Sequence, residues 1–144
     1  MFSFWTIVRI IYSLIFTIIN IYFSQFINSI EEKKNCPLST GWRITNGKII
    51  SSLLMIVGLV NIFVPANKFL STLPLIGSSY VLVFVGALFF ELFIVNRLVI
   101  NLEDSENSKC SIKGYDMLRT FFSDFTTTEC IYYTVIITIL FFYL

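Results

Sequence analysis

The 21 residues from Ile10 to Ile30 contain no charged side chain. At about 1.5 Å per residue, a helix of that length crosses a hydrocarbon core of about 30 Å. Three further apolar runs follow: Ile49 to Val64, Leu70 to Ile100, and Ile131 to Leu144. A soluble chain of 144 residues folds around one core, and it has nowhere to hide four runs of this kind. Lipid is the solvent they require. Inside it every backbone amide must be satisfied within the protein, which leaves helices or a closed barrel. Barrel strands alternate apolar and polar residues over about ten positions, whereas these runs are continuous. The expected fold is all-α: one polytopic membrane domain over 1–144 with four transmembrane helices at 5–30, 49–66, 73–100 and 127–144, joined by polar loops at 31–48 and 101–126.

Local signals refine these boundaries. The first run is long, aromatic and followed directly by Glu31-Glu32-Lys33-Lys34, unlike the short apolar region and small-residue cleavage site of a signal peptide, so it is expected to stay in the protein. Arg9, one turn inside the apolar start of the chain, is expected to snorkel to the headgroups. Pro65 is expected to stop the second helix, because its ring clashes with the preceding turn. Pro74 and Gly77 put the regular start of the third near Ser78, or at a turn ended by the proline. The last run has 14 residues, so the fourth span draws on Thr126 to Cys130 for its length. Before it, IKGYDMLRTFFSDF (112–125) repeats Tyr115, Leu118, Phe121, Phe122 and Phe125 at roughly helical spacing, which predicts a short interfacial amphipathic helix.

Charge distribution orients the chain. Lys33, Lys34, Arg43, Lys48, Lys109, Lys113 and Arg119 fall in the two larger loops, and Arg97 lies near the same interface. The opposite side has only Arg9 and Lys68. The positive-inside rule then puts the loops on the cytosolic face and both termini across the bilayer. Cys36, Cys110 and Cys130 lie on that reducing side, so free thiols are expected, with a Cys36–Cys110 disulfide as the alternative in an oxidising setting. These cysteines lack CxxC spacing and the chain has no His, which argues against a metal site. A net charge of +1 without an arginine-rich patch argues against nucleic acid as a partner.

Glu91 is the one acid expected inside a span, and a membrane carboxylate is a functional candidate by default. Its alternatives are pairing with Lys48 or Arg9, a neutral structural acid, or a proton or ion path. Trp42 beside Arg43 suits either an interfacial anchor or a docking epitope, both types being enriched in hot spots. With Lys113, Tyr115 and Arg119 they form the expected partner-docking set. Asn46-Gly47 has the form of a turn signal, and Gly58 with Asn61, and Gly86 with Ala87, suit close helix packing. No nucleophile has a base near it, so no catalytic residue and no cofactor is expected. The basic, His-bearing signature of four-span glutathione and eicosanoid enzymes has no counterpart here, and no TVGYG-type filter is present.

The stretch CPLSTGWRITNGK, followed by LVNIFVPANKFLSTLPLIGSSYVLVFV and NRLVINL, resembles small multi-span virion membrane proteins of large icosahedral DNA viruses, over residues 36–102. The resemblance implies a non-enzymatic minor capsid or inner-membrane component whose polar loops meet capsid proteins. Two other roles fit the residues alone: an accessory subunit of a large organellar membrane complex, and a small channel or transporter using Glu91. The topology carries its own test. Membrane-impermeant thiol reagents are expected to label Cys36 and Cys110 from the same side of the bilayer; labelling from opposite sides would overturn the four-span arrangement.

Overall fold

A computed structural model describes residues 3–32, 41–65, 68, 71–72, 74–103, 115–122 and 125–143. Among them all regular structure is helical: α1 (Phe4–Glu31), α2 (Trp42–Phe63), α3 (Pro74–Glu103), α4 (Asp116–Phe122) and α5 (Thr127–Tyr143). Helix ends follow local chemistry. Ser3 caps α1 by accepting the Thr6 N–H at 3.3 Å. Val64 leaves α2 in an extended conformation, φ −127° and ψ 117°, as a residue before proline must. Pro74 opens α3 itself, four residues ahead of Ser78, because the first helical position needs no amide hydrogen. Thr126 caps α5 by accepting the Glu129 N–H at 3.2 Å, half of a Thr-x-x-Glu capping box.

Helix α2 begins seven residues ahead of Ile49, so Trp42–Lys48, assigned from sequence to the 31–48 loop, forms its first two turns. Packing overrides the turn signal there. Ile44 is buried, and Gly47 lies so close to α1 and α3 that an added Cβ would sit 2.8 Å from Ile27 Cδ1 and 3.3 Å from an Ile94 methyl. A tight turn at Asn46-Gly47 would forfeit that contact.

The long helices run alternately up and down. Arg9 meets Ile62, Ser13 meets Asn61, and Glu31 meets Lys48, so α1 and α2 are antiparallel. Gly47 faces Ile94 while Ser51 lies beside Glu91, setting α3 antiparallel to α2. Phe84 stacks on Phe141 at 4.4 Å and Tyr80 meets Phe142 at 5.8 Å, which brings the end of α5 to the start of α3. Phe16 closes the bundle against both Phe84 (5.8 Å) and Phe141 (5.5 Å). Much of the Phe content thus serves as interhelical contact.

On α1 the buried positions Arg9, Ser13, Phe16, Thr17, Asn20, Phe23, Phe26, Ile27 and Ile30 form one stripe at helical spacing, while Ile7, Ile11, Leu14, Ile15 and Ile18 stand exposed on the other face. An outward apolar face of this extent belongs in lipid. Helices α1, α2 and Pro74–Asn101 of α3 are each long and apolar enough to cross a membrane; the protein is an integral membrane protein. Helix α5 has 17 residues, about 25 Å, and α4 is set at 107° to it.

The glycines give a direct test of the packing. A Cβ on Gly58 would strike the Thr17 hydroxyl and lie 3.1 Å from the Phe16 ring, whereas one on Gly86 would meet nothing within 4 Å. Gly58→Ala is expected to destabilise the protein in detergent by about 1–3 kcal/mol through overpacking, and Gly86→Ala to be neutral or stabilising by about 0.5–1 kcal/mol. Equal effects in denaturant titrations would contradict the α1–α2 contact.

Candidate functional site

Three groupings of polar side chains stand out against the apolar bundle. The first is the seam between α1 and α2. Asn61 donates from Nδ2 to Ser13 Oγ at 2.6 Å, both residues being fully buried. One turn toward the α1 start, Arg9 Nη2 donates to the Ile62 carbonyl at 3.3 Å. Arg9 is only 9% exposed. It turns onto the C-terminal end of α2, where free carbonyls and the negative end of the helix dipole attract a cation. Thr17 satisfies its hydroxyl on the Ser13 carbonyl at 2.8 Å, which leaves Ser13 Oγ free to accept from Asn61.

The second grouping lies where α1, α3, α4 and α5 border a half-open cavity of about 350 Å³. Its walls are almost wholly apolar, including Phe23, Leu88, Leu92, Leu118, Phe122 and Ile137, with Asn20 and Glu91 as its amide and carboxyl groups. Each of these two is 1% exposed. Asn20 Nδ2 donates to the Phe16 carbonyl at 2.8 Å, but Asn20 Oδ1 and Glu91 Oε2 have no hydrogen-bond partner. Ser51 on α2 approaches the Glu91 carboxyl without its Oγ closing a well-formed hydrogen bond.

Among the described residues no base pairs with Glu91. Lys48, one expected partner, binds Glu31 at 2.7 Å, and Arg9 is held at Ile62 near the other end of the bundle. The carboxyl is enclosed by helix packing rather than by a counter-ion.

The third grouping is the end of the bundle that holds the start of α2. Trp42 is 55% exposed, and the Arg43 guanidinium stacks 5.1 Å from its ring centre. Arg119 pairs with Asp116 at 3.7 Å, and Arg97 lies over Phe93 at 5.2 Å. Tyr115, another residue expected to dock a partner, also packs into the fold: its ring lies against Phe26 (5.1 Å) and Tyr22 (5.4 Å), and its hydroxyl lies 3.2 Å from Ser29 Oγ. Trp42 and Arg43 open α2, while Tyr115 and Arg119 belong to the segment packed on the second half of α1. Lys113, Cys36 and Cys110 lie outside the described residues. Cys130 is a buried free thiol.

Asn20, Ser13, Ser51 and Asn61 were not singled out as site residues from sequence, apart from the packing role given to Asn61. Their signal on α1 is the recurrence of Arg9, Ser13, Thr17 and Asn20 at helical spacing inside an apolar run. Among the described residues no group of three or more His, Cys, Asp or Glu is arranged to hold a metal ion. Comparison with protein-family models, curated proteins and solved structures gives no match to this chain.

The seam hydrogen bond is measurable. A double-mutant cycle with Ser13→Ala and Asn61→Ala is expected to give a coupling of about 0.6 kcal/mol, and no more than about 1.7 kcal/mol, the range found for hydrogen bonds between membrane helices. Zero coupling would mean that the two side chains do not interact in lipid.

Proposed function

We propose that this protein is a non-enzymatic structural subunit of a membrane-bounded assembly, held by four spans and docked to its protein partners through its polar end. The observation that carries the reading is the Trp42–Arg43 stack: an exposed aromatic ring and a guanidinium, joined at 5.1 Å, at the end of the bundle where most charges collect. Aromatic and Arg side chains dominate interface hot spots, and a polar rim around such an anchor is the usual anatomy of an interface. At the opposite end Arg9 is turned inward and Lys68 is the other base in the sequence, so charge there is sparse.

In this reading α5 is the fourth span and α4 an interfacial amphipathic helix. Leu118 and Phe122 of α4 are buried, Met117 and Phe121 are exposed to the acyl region, and Asp116 and Arg119 remain at the polar boundary. The polar end faces the cytosol by its excess of Lys and Arg. The resemblance of residues 36–102 to virion membrane proteins supplies the assembly: an internal viral membrane whose cytosol-derived face lies against capsid proteins. Partners are then the bilayer and neighbouring membrane or capsid proteins.

Replacing Trp42 and Arg43 together by Ala is expected to weaken incorporation into purified virions by about 2 kcal/mol or more, roughly thirtyfold in affinity, while membrane insertion is unchanged. Unchanged incorporation would reject docking through this end and leave Trp42 as an interfacial anchor.

A further inference from the structure

The cavity bordered by α1, α3, α4 and α5 has a deep floor and an open mouth. Phe23, Leu88, Leu92 and Phe122 line it and are only 2–6% exposed, whereas Ile19, Met117 and Phe121, which also line it, are 45%, 78% and 51% exposed. Asn20 and Glu91 are each 1% exposed, so the surface that an occupant meets is apolar. Ile19 continues the outward face of α1 formed by Ile11, Ile15 and Ile18, and the mouth therefore opens toward the acyl region rather than toward water. Side chains around an unfilled recess forfeit the dispersion contacts that packing supplies, and apolar walls give water nothing to bond. What fills the space comes from the bilayer.

We infer that this recess seats one acyl chain of a phospholipid, drawn in laterally and held against α4. The inference rests on α4 lying at the membrane boundary, as in the proposed function. The volume, about 350 Å³, is near the lower limit of roughly 300–1,000 Å³ for small-molecule pockets, which favours one chain over two. A helix from a second copy is about 10 Å across with its side chains, too broad for such a recess to admit. A polar solute finds no exposed donor or acceptor inside. Helix α4 also sets the level of the lipid. Its Asp116–Arg119 pair belongs at the polar boundary, while its Leu118, Phe121 and Phe122 line the recess, so the headgroup stays beside the pair and the chain lies below it.

The test uses the full chain in nanodiscs of phosphatidylcholine that includes phosphatidylcholine with a diazirine midway along one acyl chain. Exchange into detergent removes the loosely held lipids before irradiation. One lipid per protein is expected to survive the exchange, and its crosslinks to fall on Phe16–Phe23, Leu88–Leu92 or Met117–Phe122. These should exceed crosslinks to the outward face of Ile49–Phe63 by about fivefold, in keeping with the modest free energies of packing in lipid. Ile19→Trp and Met117→Trp together crowd the mouth from exposed positions and should cut retention by a similar factor without lowering thermal stability. Complete loss of lipid in detergent, crosslinks spread evenly over the outward face of α2, full retention by the double variant, or crosslinks from the recess to a second copy of the chain would each overturn the assignment. A freely partitioning apolar carbene reagent checks the premise separately. Labelling of α2 but not of Met117 and Phe121 would place α4 outside the bilayer and reject both the proposed seat of α4 and the bound chain.

Discussion

Contact between α1 and α2 is the interaction on which the remaining architecture depends. In lipid, apolar side chains gain little by meeting each other instead of acyl chains, so helix association rests on close packing and interhelical hydrogen bonds. Both are concentrated at this seam. Gly58 lets α2 approach Thr17, Gly47 lets it approach Ile27, Asn61 bonds Ser13, and Glu31 pairs with Lys48 at the polar end. With the pair fixed, Phe16 is presented to Phe84 and Phe141 and Gly47 to Ile94, so α3 and α5 have defined surfaces to meet. The aromatic cluster at one end and the Tyr115 contacts with Phe26 and Tyr22 at the other then close the bundle.

The same geometry explains why charges sit where they do. A cation in the hydrocarbon region is costly unless protein supplies acceptors, and the end of α2 supplies carbonyls at the depth of Arg9. Glu91 has no base beside it among the described residues: it is walled in by packing, with Ser51 of α2 approaching its carboxyl. Retaining a carboxyl in this place costs stability that an apolar residue would not.

Lipid as solvent was legible in the sequence because long uncharged runs leave few other folds. The helix end at Phe63 was legible through Pro65, which acts within a turn of itself, and the start near Thr127 through the length that the last apolar run lacks. The start of α2 was not, because Trp42–Lys48 is polar in one dimension and becomes helical only where Ile44 and Gly47 find α1 and α3 in three. The acceptor that Arg9 meets was not legible either, since it depends on which backbone ends beside it. Nor were the contacts of Tyr115 with Ser29, Tyr22 and Phe26, which lie far from it in sequence. The cavity was invisible to a linear reading, since Asn20 and Glu91 are 71 positions apart and neither belongs to a recognisable motif.

Helix α4 joins the two surfaces that carry the functional readings. Its polar residues Asp116 and Arg119 belong to the charged end, while Leu118 and Phe122 form part of the cavity wall and pack toward α1 and α5. With only seven residues, it has too few internal hydrogen bonds to hold its shape alone and depends on those contacts. With Leu118 and Phe122 buried at 5% and 2% exposure, any displacement of Asp116 or Arg119 at its polar side is carried into the packing against α1 and α5, because so short a helix moves as a unit.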